Sequence, residues 1–253
     1  MPASSALRIQ IERALEHHFP AALTPAPRTI REVAPTGIAA VDAILDGGLP
    51  IGAISELTGP ESSGRTSLVL AFVAKCIGTD QVCAWVDATD ALDPESAAAS
   101  GVDLRRLLWV RCSGITRNAR PAPLSRLDQA MRAADLLLQV GGFATIVLDL
   151  GSTAPEHGVR IPLATWFRFR QAADRARCCL LVLSQSVYAQ SSAAAVLECS
   201  PLRAVTTDET VLHGFEFETQ LRRERCMTIS HGARKPPAST WSANAAWAPA
   251  RHA

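Results

Sequence analysis

The stretch ELTGPESSGRTSLVL, residues 56–70, constrains this chain more than any other. An apolar strand runs into glycines at 59 and 64 and leaves as an apolar helix. Glycines at that spacing let successive backbone N–H groups turn toward one point, and the helix from Thr66 onward adds the positive end of its dipole. The pattern is the phosphate-loop G-x-x-x-x-G-K-[ST] with one letter changed: Arg65 stands where lysine belongs. Gly59, Pro60, Glu61, Ser62, Ser63, Gly64, Arg65, Thr66 and Ser67 are the candidate nucleotide contacts, with the Thr66 hydroxyl placed for Mg²⁺. The bland alternative is a glycine turn without a ligand; spacing and the strand–helix context favour the loop.

Apolar runs and helical patterns alternate downstream. VCAWVDA (82–88), LLWVR (107–111), FATIVLDL (143–150) and CCLLVLS (178–184) read as strands. PESAAASG (94–101), LSRLDQAMRAADLLLQVG (124–141) and LATWFRFRQAADRAR (163–177) read as helices. Near-continuous apolar strands separated by helices predict an α/β fold, a mostly parallel sheet covered on both faces. Asp149 then ends a buried strand at the edge where such sheets bind ligands, placed for the metal's water shell, with a turn cap as the alternative. Gln185, in LSQS, follows another strand into the same crevice, where an amide can sense a γ-phosphate; a plain polar strand end fits the spacing equally well.

After residue 185 the pattern changes. YAQSSAAA (188–195) reads as a flexible loop, and VLHGFEFETQLRRERCMTI (211–229) as antiparallel strands at the sheet edge. Residues 4–19 form an amphipathic helix on Leu7, Ile11, Leu15 and Phe19, separated from the rest by a proline-rich linker over 20–28. The expected units are therefore an arm over 1–28, a core over 29–231 and a disordered, Ala/Pro/Ser-rich tail over 232–253.

Composition excludes some classes. The 253 residues are 48% hydrophobic and carry a net charge of +1, so no global field recruits nucleic acid or membrane. The seven cysteines form no C-x-x-C pair and read as free thiols of a reducing cytoplasm. No apolar run reaches the ~18 residues of a membrane span.

GPESSGRTSL, VDATDALDP, GVDLRRLL, IVLDL and LSQS, in this order, resemble the bacterial RecA recombinase family over roughly residues 50–200. Upstream, PTGIAAVDAILDGGLPIGAISELTG is similar to RecA relatives generally, and with HHFPAAL it looks most like the ImuA type, an accessory protein of inducible mutagenesis cassettes. The resemblance implies a RecA-like nucleotide-binding core, ATP and Mg²⁺ as cofactors, and single-stranded DNA, RecA or an error-prone polymerase as partners. It also implies an N-terminal helix that grips a neighbouring subunit, in a homo- or hetero-oligomer.

Departures from the family pattern fall in the site itself. Arg65 keeps the loop lysine's charge on a longer, planar group. Thr89 stands where the family has the glutamate that activates water, and a threonine hydroxyl is no general base at neutral pH. Asp90 is adjacent but points to the opposite face of the strand. Ser96 takes the place of the family's adenine-facing aromatic, while Asp93 remains to accept from the adenine amino group. With only Lys75 and Lys235 as lysines, composition bias accounts for Arg65 but not for Thr89. The expectation is a site kept for shape or for binding, with hydrolysis weak or lost.

The family's DNA loops fall at 151–162 and 186–195, short and poor in basic residues. Arg160 and Tyr188 are their candidate DNA contacts, the tyrosine by stacking or, equally, by packing beneath its loop. The arginines at 168, 170, 175, 177, 222, 223 and 225 read as a solvated face. Trp241 and Trp247 either dock on a partner or fold back on the core.

Overall fold

The computed structural model describes residues 32–112, 125–151, 153–207, 211–224 and 236–244. The expected arm and linker over 1–28 lie outside these residues, as do Trp247 and Cys226.

A short strand β1 (Val33–Ala34) pairs antiparallel with β2 (Leu49–Pro50), and helix α1 (Ala39–Ile44) lies between them. The main sheet then begins with β3 (Ile54–Thr58), which leads through the glycine loop into α2 (Arg65–Ile77). β4 (Cys83–Asp87), α3 (Pro94–Ala99) and β5 (Leu107–Arg111) follow. Next come α4 (Arg126–Val140), β6 (Thr145–Asp149), α5 (Pro155–Gly158), α6 (Leu163–Ala176) and β7 (Cys179–Ser184). Three longer strands finish the chain: β8 (Ala193–Thr207), β9 (Val211–Glu224) and β10 (Ala238–Asn244).

The eight-stranded sheet has the order β10-β9-β8-β3-β7-β6-β4-β5. It is parallel from β8 to β5 and antiparallel across β8, β9 and β10. The expected α/β architecture with an antiparallel edge is therefore present. Strand alternation divides the core in two. Leu57, Trp85, Val147 and Leu181 face α1 and α2, whereas Ile54, Val86, Ile146 and Leu180 face α4 and α6. Both faces are covered, which is why the central strands read as unbroken apolar runs.

Two expectations fail. Residues 193–195 of the supposed flexible loop are buried strand: Ala193 and Ala195 pair with β3 at the centre of the sheet. Small side chains suit this crowded position, and small residues alone carry no strand signal. The tail expected to be disordered contains β10, hydrogen-bonded along β9 from Ala238↔Gln220 to Asn244↔Gly214. Its composition hid a period-2 pattern that turns Trp241 and Ala243 inward against the same core as α1.

The parallel register sets the site. Asp87 of β4 pairs with Asp149 of β6, and Thr58 of β3 with Ser184 of β7. The carboxyl ends of four neighbouring strands thus meet in one row beside the glycine loop.

Candidate nucleotide site

The loop is pressed against β8. A Cβ at Gly59 would lie 2.2 Å from the carbonyl oxygen of Cys199, so no larger residue fits. Gly64 is the N-cap of α2 in the left-handed region, with φ 83°, and offers no capping side chain. The first N–H groups of a helix have no partner within it, and the first residues of α2 line the hollow described below. Ser62 also holds a left-handed φ of 59°, an uncommon state for a non-glycine residue. Ser63 is 1% exposed, and its Oγ has no hydrogen-bond partner among the described residues. A desolvated hydroxyl left in that state costs about 1–3 kcal/mol, which an acceptor arriving on a ligand would recover. The hollow measures about 310 Å³ and is lined by residues 62–67 with Phe215 and Phe217 of β9.

Arg65 does not point into it. The side chain is buried, and Nη1 donates to the carbonyl oxygen of Ser184 at the end of β7. A carbon added at Gly151 would meet Asp149 Oδ1 at 3.1 Å and both terminal nitrogens of Arg65 at 3.9 Å, so guanidinium and carboxylate flank one point. Burial pulls Arg65 below its usual value, and Asp149 opposes that shift. Burial likewise pushes the Asp149 carboxyl up, while the Gly151 N–H at 2.9 Å draws it down. A nucleotide's phosphates fit this site: the loop offers N–H groups, an orphaned hydroxyl and room. Mg²⁺ does not fit the residues present, because the Asp149 face where its water shell belongs already holds a guanidinium, and Thr66 stands exposed at the mouth.

Thr89 follows β4. Its N–H donates to Asp87 Oδ1 at 3.2 Å, and its hydroxyl is buried without a hydrogen-bond partner among the described residues. Asp87 also accepts from Ala91 N and Leu92 N at 3.0 Å and from Trp109 Nε1 at 3.3 Å, which makes it a scaffold for this turn. Asp90 turns away and forms a bidentate pair with Arg111 at 2.6 and 2.7 Å. Asp93 caps α3, accepting from Glu95 N at 3.3 Å and Ser96 N at 3.0 Å. The Ser96 hydroxyl bonds the same carboxylate and helps hold its pKa below the usual range. Gln185 is half-buried, directly after the carbonyl that Arg65 holds.

The expected DNA and partner contacts divide. Arg160 is exposed on a cleft of about 550 Å³ between α4 and α6, with Arg132, Arg168, Asp128 and Asp135 around it. Tyr188 is not available for stacking. It is buried because Glu56 accepts from Tyr188 N at 2.7 Å and Ala189 N at 2.9 Å, pulling the loop inward, and its ring packs on Gly158. Trp241 folds back: it is buried, donates to Thr219 Oγ1 at 2.9 Å and lies 4.9 Å from the Phe217 ring. Arg168 pairs with Asp135 at 3.3 Å and Arg177 with Glu32 at 2.6 Å, in keeping with a solvated face. The side chains of Arg223 and Arg225 lie outside the described residues.

Three residues of the site escaped the motif reading. Phe215 and Phe217 wall the hollow, and Glu56 ties the strand before the loop to the segment after β7. The signal for the phenylalanines is GFEFE, whose period of two puts both rings on one face.

Among the described residues no helix is long and apolar enough to cross a membrane. The family model of the RecA N-terminal domain matches residues 5–157. Protein RecA of Methylococcus capsulatus is 42% identical over 119 residues, 47% of this chain and 31% of the relative. The corresponding figures for Protein RecA of Leifsonia xyli are 40%, 47% and 30%, and for that of Acinetobacter baumannii 39%, 47% and 31%. The chain therefore spans about a third of the length of the curated relatives it matches. With a family match over more than half its residues, the chain belongs to the RecA family.

Proposed function

We propose that the chain is a RecA-family accessory protein of DNA-damage tolerance, of the ImuA type. Its loop holds a nucleotide without turning it over. Its surface serves as an adaptor for RecA, an error-prone polymerase or both. The observation that carries this reading is Arg65. The residue that should reach the phosphates is tied to the Ser184 carbonyl instead. Thr89 supports it, since the place of the water-activating glutamate holds a buried hydroxyl, which is no general base at neutral pH.

A second reading has its own support. Identity of 39–42% to Protein RecA over 119 residues favours an active, DNA-dependent ATPase that binds single-stranded DNA. Glu61, Arg65, Thr66, Asp149 and Gln185 would then form a working site, with Arg160 on the DNA.

ATP hydrolysis by the purified chain, with and without single-stranded DNA, separates the two. The adaptor reading expects no DNA-stimulated turnover, and robust stimulation overturns it. The double variant Arg65→Lys with Thr89→Glu is expected to gain measurable turnover, since it restores the compact cation and the missing base.

A further inference from the structure

We infer that the loop binds the phosphates of a nucleotide without a divalent metal ion, because Arg65 sets a fixed positive charge beside Asp149, where the metal's water shell belongs. This rests on the reading that the loop holds a nucleotide.

Three observations converge. First, the anion-binding parts are in place: a 13-residue helix opens on a glycine N-cap, and the buried Ser63 hydroxyl, which lines the hollow, has no partner among the described residues. Second, the cationic head is built into the wall. Arg65 is anchored at Ser184 O through Nη1, which holds its guanidinium on the Asp149 side of the strand ends. Third, that head flanks the same point as Asp149 Oδ1, which already accepts from Gly151 N. Mg²⁺ needs near-octahedral oxygen ligands and retains several waters. A fixed positive charge beside its carboxylate removes both the room and the electrostatic incentive. A guanidinium in a protein does not lose its proton, so this charge beside Asp149 is permanent.

Titration calorimetry of the full chain with ADP, in EDTA and in Mg²⁺, tests this. The expected affinities agree within about twofold. A loss of about tenfold or more in EDTA, equivalent to about 1.4 kcal/mol, overturns the inference and leaves the nucleotide reading standing. No binding in either buffer, checked by equilibrium dialysis with labelled ADP, overturns both. Arg65→Lys is expected to gain about tenfold in ADP affinity on adding Mg²⁺, because the shorter amine releases Ser184 O and uncovers Asp149. An Arg65→Lys protein that stays indifferent to Mg²⁺ removes Arg65 from this role. If that variant does not fold, thermal shifts of the unaltered chain decide: equal ADP-induced rises in Tm in the two buffers support the inference, and a rise only with Mg²⁺ overturns it.

Discussion

Phe217 occupies the space that a side chain at Gly64 would need. A Cβ there would meet Cγ, Cδ1 and Cδ2 of the ring at 2.7 to 2.8 Å. The second glycine of the loop thus serves two ends, a left-handed N-cap for α2 and a flat seat for an aromatic ring from β9. Gly64→Ala adds a left-handed penalty to an overpacked contact and is expected to cost about 3 kcal/mol. Urea denaturation reads this as a lower midpoint with an unchanged slope.

Phe215 sits on the same wall but is 45% exposed, so its ring is free to meet a ligand. Base stacking on an aromatic is worth about 1–3 kcal/mol. Phe215→Ala is expected to weaken ADP binding about tenfold while leaving the urea midpoint unchanged, as calorimetry and denaturation of the same preparation will show. Unchanged ADP affinity would separate Phe215 from base recognition.

Trp241 anchors β10. Its ring lies against Phe217, and its indole N–H donates to Thr219 Oγ1. Trp241→Ala is expected to cost about 3–5 kcal/mol, a core truncation. Trp241→Phe keeps the ring contact and loses the hydrogen bond, at about 1 kcal/mol. Partner capture after deletion of residues 245–253 tests Trp247 without disturbing this strand. Retained capture would remove Trp247 from the interface.

Glu56 is fully buried in β3 and accepts two backbone N–H groups from Tyr188 and Ala189. Glu56→Ala leaves both donors without that acceptor and is expected to cost about 3 kcal/mol. Glu56→Gln keeps one carbonyl acceptor and should cost less. Hydrogen exchange localises the effect: amide protection at residues 188 and 189 should fall in the alanine variant before global protection does.

Much of the fold is legible in order along the chain. LLWVR is β5 to the residue, and TIVLD and CLLVLS are β6 and β7 within the runs that announced them. These strands are buried on both faces, so hydrophobicity alone marks them. β10 was hidden because Ala, Pro and Ser dominate its surroundings, and its burial depends on pairing with β9. The start of β8 was hidden for a similar reason, since alanines become a strand only beside β3.

The loop itself belongs to the sequence. Gly59, Gly64, Arg65 and Thr66 act through local backbone geometry, and a short run of letters contains all of it. What Arg65 does was decided by tertiary structure. Its partner carbonyl, Ser184, is 119 residues away, and parallel pairing of β3 with β7 brings the two together. The phenylalanine wall likewise exists because β9 folds back along β8 to reach the loop. A motif records which groups a short segment can present; only the sheet's register determines what those groups meet.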